Sequence, residues 1–399
     1  MKIGIIREGK TPPDKRVPFT PKQCADIKKN FPDVKVMVQT SEIRCFMDKE
    51  YQEEGVEVVD SVTACDILMG VKEVPKSELI EGKAYFFFSH TIKEQPYNSA
   101  LLRAVLDKNI KLVDYECLTY ENGARVLGFG RYAGIVGAYN GLLTYAKKYD
   151  TFELKPAHKC IDKKELYNEL KKVKLPAIKL VVTGGGRVAS GVLEILDELE
   201  IKKVNPEDYL TQEYTEAVYT QIFPKHYVQH KMGRDWEESY FFAHPEEYKS
   251  NFMPYAKQTH IYLSAHYWDA KAPFIFTREE AKSPDFKIKV VADISCDIDG
   301  PVACTIRPST IADPIYGYDA HSEKEVDFRK ENAIAVMAVD NLPCELPRDA
   351  SEDFGRNLIN NILPCFFNND KDNILKRATI AEGGELADNY KYLTDYSNR

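Results

Sequence analysis

The sequence predicts an α/β protein built on largely parallel sheets. Three observations carry this: short apolar runs of strand length, segments of helical period between them, and a glycine-rich turn joining one such run to a helix. At 399 residues the chain is long enough for two or three domains. Hydrophobic residues make up 44% and charged residues 29%, which excludes a disordered or fibrous chain. A core of this size needs no disulfide or metal staple.

In the first third the strand candidates are Ile3–Ile6, Val34–Val38, Ile67–Val71, Ala84–Phe88 and Ile110–Val113. Between the last two, Leu101, Leu102, Val105 and Leu106 fall at helical spacing and predict a helix within Asn98–Asn109. Tyr132–Tyr149 reads as one long helix. Its Gly134, Gly137, Ala138 and Gly141 share a face, so another backbone is expected to pack closely there. Asp150–Pro176 is polar and lysine-rich and reads as a surface connection. A second α/β pattern starts at Ile178.

Ile178–Thr183 reads as a buried strand that runs into Gly184-Gly185-Gly186-Arg187-Val188-Ala189, a G-x-G-x-x-A turn. Val188, Val192, Ile195, Leu196 and Leu199 then keep helical period. Strand, glycine turn and helix in this order are what a dinucleotide site requires. The glycines let backbone approach a pyrophosphate, and the helix N-terminus offers free N–H groups. An acidic residue for the ribose is expected about 20 positions on. Glu207, Asp208 and Glu213 are present, but none ends a clear strand, so NAD and NADP stay undecided. The next strand, Ile288–Ile294, ends at Ser295-Cys296-Asp297.

Three ionisable residues follow strands of the first third: Lys72, His90 and Glu116. Carboxyl ends of parallel strands face the ligand crevice, so the three together would form a proton-transfer set. Singly, each is more often a solvated loop residue. Arg16, before a helix starting after Thr20-Pro21, is a candidate for bidentate carboxylate binding, against the plainer reading of a surface arginine. No metal site is expected: His226 and His230 stand four apart, but in HYVQH rather than HExxH, and a surface helix is the expectation. The charge of −8 disfavours general nucleic-acid binding. No apolar stretch reaches membrane-spanning length. Nine scattered cysteines without CxxC suit reduced thiols, and a cytoplasmic location is expected.

Several segments together resemble a known family. IGIIREGKTPPDKRVPFTP, ILMGVKEVP, YFFFSHTIKEQ, LVDYECL, ARVLGFGRYAGIVG, VVTGGGRVASG, VVADISCDIDG and AVDNLPCELPRDAS are similar to the lysine-forming saccharopine dehydrogenases and the lysine–2-oxoglutarate reductase domain, relatives of alanine dehydrogenase and transhydrogenase. The resemblance implies two Rossmann-like domains with an active site in the interdomain cleft. The substrate domain would comprise residues 1–140 plus 345–399, and the dinucleotide domain residues 141–344. It further implies Lys72 and His90 as the acid–base pair, with Glu73 and Glu116 beside the lysine. Arg16, Gln95, Arg125 and Phe129 would hold substrate, as would Ser295, Cys296 and Asp297. Gly184, Gly186, Arg187 and Val188 would meet the dinucleotide, with Tyr267 and Ile294 on the nicotinamide side and Val339, Asp340, Asn341 and Leu342 returning over it.

The chain departs from the pattern in places. A second arginine found beside Arg125 in some members is Ala124 here, and an ungapped reading of the ribose aspartate lands on Leu210. The stretch 209–255 is longer than in compact fungal-type members and looks like the degradative reductases, which favour NADPH. The implied substrates are lysine, 2-oxoglutarate and saccharopine, with NAD or NADP as cofactor and no metal; monomer and homo-oligomer are both open. Lys72 would need its pKa lowered, by burial and a nearby cationic histidine, against the pull of Glu73 and Glu116. The alternatives are an alanine dehydrogenase and a non-catalytic nucleotide-binding relative.

Overall fold

A computed structural model describes residues 1–399. The chain divides into two compact units, Met1–Phe129 with Pro347–Arg399, and Gly130–Leu346.

The first unit is built on six parallel strands: β1 (Lys2–Ile5), β2 (Lys35–Gln39), β3 (Glu57–Val59), β4 (Ile67–Met69), β5 (Ala84–Phe87) and β6 (Lys111–Asp114). Their spatial order is β6-β5-β4-β1-β2-β3, and a C-terminal hairpin, Thr379–Glu382 with Glu385–Leu386, pairs antiparallel to β6. From β1 the chain winds first toward β2 and β3 and then back toward β4, β5 and β6. The topological switch point therefore lies between β1 and β4, where ligands bind in such sheets. Helices cover both faces. The Pro21–Asn30 helix begins in a capping box, with Thr20 accepting from the Gln23 N–H and Gln23 accepting from the Thr20 N–H. Ser99–Asp107 is helical inside the predicted span, burying Leu101, Leu102 and Val105.

The second unit repeats the plan. Its strands are β7 (Lys179–Thr183), β8 (Lys202–Lys203), β9 (Val218–Ile222), the hairpin β10 (Val228–His230) and β11 (Tyr248–Ser250), then β12 (Ile261–Ser264), β13 (Val290–Asp293), β14 (Ile315–Asp319), β15 (Lys324–Val326) and β16 (Ile334–Met337). The main sheet runs β15-β14-β16-β13-β12-β7-β9-β8, with only the β14 and β15 pairings antiparallel. Its switch point lies between β7 and β12.

The long helix spans Gly130–Tyr149, and the small face does what its residues imply. A Cβ on Gly134 would stand 1.9 Å from the Val188 carbonyl oxygen, and one on Gly191 would stand 2.0 Å from the Arg131 oxygen. Two helices thus touch backbone to backbone, holding the Arg187–Glu198 helix against the sheet.

Two expectations need correction and one holds. Asp150–Pro176 is no mere surface connection. Lys163–Leu170 is a helix that buries Leu166 and Leu170, and Lys163 and Tyr167 bond Glu194. In Val204–Glu213, where no acidic residue was expected to end a clear strand, the chain forms the short helix Pro206–Thr211, Leu210 included. Pro206 pre-sets the first helical turn there and Asn205 caps it. His226 and His230 do not share a helix. His226 lies in a single turn, while His230 is a buried β10 residue bonded to Glu247 at 3.1 Å.

Candidate active site

In the first unit, Lys72, His90 and Glu116 follow β4, β5 and β6, so three adjacent strands deliver them to one edge. Buried Asp114 orients two of the loops. Its carboxylate accepts from the Ser89 N–H at 2.9 Å and from the Ser89 hydroxyl, next to His90, and from the Glu116 N–H at 2.7 Å. His90 sits in the left-handed region at φ +52°, a conformation that costs a non-glycine residue about 1–3 kcal/mol and collects at functional sites. Phe88 lies against its ring.

Two carboxylates bracket the His90 imidazole. Glu73 Oε1 is 3.9 Å from Nε2, and Glu116 Oε2 is 3.7 Å from Nδ1. Both oxygens are buried without a hydrogen-bond partner. The other oxygens are engaged. Glu73 Oε2 accepts from Lys10 at 2.7 Å, and Glu116 Oε1 from Arg125 at 2.7 Å with Lys93 at 3.3 Å. Burial works against the Glu116 carboxylate, but His90, Lys93 and Arg125 outweigh it and pull the pKa down to about 2. Glu73 is lowered too, Lys10 and His90 overcoming burial.

Lys72 is half-buried, and no hydrogen bond or ion pair engages its amine. Its pKa is lowered, first by burial and then by Arg16 and Lys10, against Asp14 and Glu73. The strongest cations beside it are Arg16 and Lys10, and Asp14 and Glu73 oppose them. Arg16 is buried and grips Asp14 in a bidentate pair, Nε to Oδ1 at 2.9 Å and Nη2 to Oδ2 at 2.5 Å. Its guanidinium lies over the Phe129 ring at 4.2 Å, which in turn stacks on Phe354. Gln95 is set apart from this group: it accepts from the Tyr97 hydroxyl, and its carbonyl accepts from Tyr396 at 2.6 Å.

In the second unit, Gly184 follows β7 at φ +103°, and a Cβ there would come within 2.5 Å of the Ala265 oxygen. Only glycine fits this turn. At Gly186, by contrast, a Cβ would meet nothing within 4 Å. Gly186 caps the 12-residue helix Arg187–Glu198, and exposed Arg187 opens it, with Val188 beside the Gly134 face and Ala189 buried. Open space at a helix N-terminus beside a glycine turn fits a dinucleotide pyrophosphate.

The strand beside β7 is β9, which the sequence reading missed, and it ends in Gln221-Ile222-Phe223 with no carboxylate. Gln221 donates to the Gly184 carbonyl at 2.8 Å and accepts from Lys203 at 2.9 Å. After β12, buried His266 places Nδ1 2.8 Å from Thr183 Oγ1; burial lowers its pKa to about 4, and Nε2 has no partner. Tyr267 beside it is exposed, and buried Ile294 packs on Gly137.

Buried Asp293 organises the loop after β13, accepting from Ser295 and Thr305 hydroxyls at 2.6 Å each and from the Cys296 N–H at 3.3 Å. Cys296 donates its thiol to the Ala338 carbonyl, and the Asp297 carbonyl accepts from Gly300 N–H. Val339 and Leu342 are buried, Asn341 is partly exposed and Asp340 is exposed. No group of three or more metal-ligating side chains occurs, and no helix is long and apolar enough to cross a membrane.

Comparison with known proteins follows the same division. Residues 4–136 match the alanine dehydrogenase/PNT N-terminal domain. The mouse mitochondrial alpha-aminoadipic semialdehyde synthase is 29% identical over 439 residues, covering 98% of this chain and 47% of the relative. The chain therefore spans about half the length of the synthases it matches. The NAD(+), L-lysine-forming saccharopine dehydrogenase of Candida glabrata is 26% identical, with 90% of this chain and 91% of that protein covered. In structure, an L-alanine dehydrogenase superposes with a TM-score of 0.65 at 14% identity, covering 99% of both chains. A transhydrogenase from Sinorhizobium meliloti gives 0.57 at 14%, covering 96% and 100%. These two share the Rossmann-like fold. Residues 4–136 thus match the model of that N-terminal domain, and over most of its length the chain is similar to the semialdehyde synthases and the saccharopine dehydrogenases.

Proposed function

We propose that the protein is a nicotinamide-dependent oxidoreductase that interconverts saccharopine with L-lysine and 2-oxoglutarate. The observation that carries this is the bracket around His90: two buried carboxylate oxygens facing its ring nitrogens at 3.9 and 3.7 Å, beside an unengaged lysine amine of lowered pKa. Such a set is built to take and return protons at a substrate nitrogen or oxygen.

In this reading Lys72 accepts a proton from the substrate amine, and His90 moves protons at the carbonyl oxygen as amine and ketone condense and water leaves. Arg16 and Arg125 hold substrate carboxylates. For Arg16 the substrate competes with Asp14, which already occupies its fork. A nicotinamide dinucleotide supplies the hydride when bound, and Gly184, Gly186, Arg187 and Val188 would hold it. The uncharged end of β9, with Lys203 on Gln221, favours tolerance of a 2′-phosphate and hence NADPH.

The test is oxidation of NADPH and NADH with lysine plus 2-oxoglutarate, run beside pyruvate plus ammonia. Oxidation needing lysine and 2-oxoglutarate together supports the reading. Oxidation only with pyruvate and ammonia replaces it with an alanine dehydrogenase, the second reading.

A further inference from the structure

Glu8 follows β1 and Lys72 follows β4, so the two residues flank the switch point of the first sheet from opposite sides. The Glu8 side chain is 3% exposed. Its Oε1 accepts from the Val71 N–H at 2.7 Å and its Oε2 from the Lys72 N–H at 3.1 Å. Backbone pairing between β1 and β4 ends just before this point, with Ile6 N–H on the Met69 carbonyl. The Glu8 carboxylate therefore continues the ladder where the main chain stops. It satisfies two amide donors that burial would otherwise leave orphaned. Gly70 leaves room here: a Cβ would stand 2.8 Å from Ile6 Cδ1 and 3.3 Å from Glu8 Oε1.

Each carboxyl oxygen meets one N–H, and together they fix the planes of two successive peptides. We infer that Glu8 is a positioning residue, holding the Val71–Lys72 main chain so that the Lys72 amine stands in one place at the sheet edge. This rests on the proposed role of Lys72. The charged groups facing Glu8 are Asp14 and Arg16, with the buried Tyr115 hydroxyl nearby. Burial, reinforced by Asp14, raises the Glu8 pKa to about 8 against the two backbone N–H groups. The buried carboxyl therefore holds its proton near neutral pH, while its two oxygens keep their places on the Val71 and Lys72 N–H groups.

The test compares wild type with Glu8→Gln and with Glu8→Asp, in case the first variant folds poorly. Glutamine turns an amide donor toward one of the two N–H groups, and aspartate falls short of both. The expected result in turnover is a kcat loss of roughly 10–10² for either variant, the scale of a misplaced catalytic group, with the KM for the dinucleotide unchanged. The second readout needs no activity: pH-dependent acetylation of the Lys72 amine, followed by peptide mass spectrometry. Its midpoint should shift in both variants, whereas a lost packing contact would lower only the melting temperature. Unchanged kcat together with an unchanged Lys72 midpoint in folded protein would overturn the inference. If wild type turns over neither substrate pair, the functional reading fails by itself. The acetylation midpoint then decides about Glu8 alone.

Discussion

The two sheets share a winding plan but equip their switch points in opposite ways. Between β1 and β4 the protein crowds ionisable side chains: Glu8, Asp14, Arg16, Lys72 and Glu73, with His90 and Glu116 one and two strands further on. Between β7 and β12 it removes side chains, so that Gly184 turns tightly and Gly186 faces open space. One edge is made for moving protons, the other for letting backbone approach a ligand. A fold of this kind fixes where ligands bind and leaves the chemistry to the residues at its strand ends.

The sharpest break of this contrast is Lys72→Met. Turnover should fall by roughly 10²–10⁴ while dinucleotide affinity, read by nucleotide fluorescence titration, stays at the wild-type value. Unchanged turnover would remove Lys72 from the mechanism.

The glycines sharpen it from the other side. Gly134→Ala forces a Cβ to 1.9 Å from a carbonyl oxygen and should destabilise the second unit by about 1–3 kcal/mol in denaturant unfolding. Gly186→Val meets no protein atom near its Cβ, so stability should hold while dinucleotide binding weakens roughly tenfold or more. Equal effects of the two substitutions on unfolding would show that Gly186 is structural as well.

A pH test isolates the charge cluster. The folded-state pKa of Glu116 is depressed to about 2 from an ordinary 4.5. Its stabilisation is therefore fully present above about pH 4.5 and is lost as pH falls toward 2. Glu116→Gln should flatten that part of the stability curve, as measured by urea midpoints at successive pH values; a curve parallel to wild type would contradict the pairing. The smallest expected effect is at Gln221. Placing a carboxylate there with Gln221→Asp should move the ratio of NADPH to NADH affinities toward NADH by roughly tenfold, through repulsion of the 2′-phosphate.

Much of the site could be read in the sequence because a strand end is a local signal. An apolar run followed by Lys72, by His90 or by Gly184 announces both the strand and the edge to which its last residue is delivered. The same logic would have found Glu8, two residues after the first apolar run, had its burial been visible. Strand β9 was harder to see. It lies after a short helix and a polar link, and Tyr219, Thr220 and Gln221 interrupt its apolar pattern. His226 and His230 misled because a spacing of four fits a helix as readily as a turn followed by a strand.

The sequence by itself determined the alternation of strands and helices, the glycine turn, the small-residue helix face and the titratable residues at the strand ends. Each depends on residues near in the chain, through periodicity or backbone sterics. Tertiary structure alone decided which charges meet. It set Arg16 and Lys10 beside the Lys72 amine, and Glu8 on the Lys72 amide. These pairings join strands far apart in sequence. Their strength comes from burial, which exists only once the sheet has closed around them.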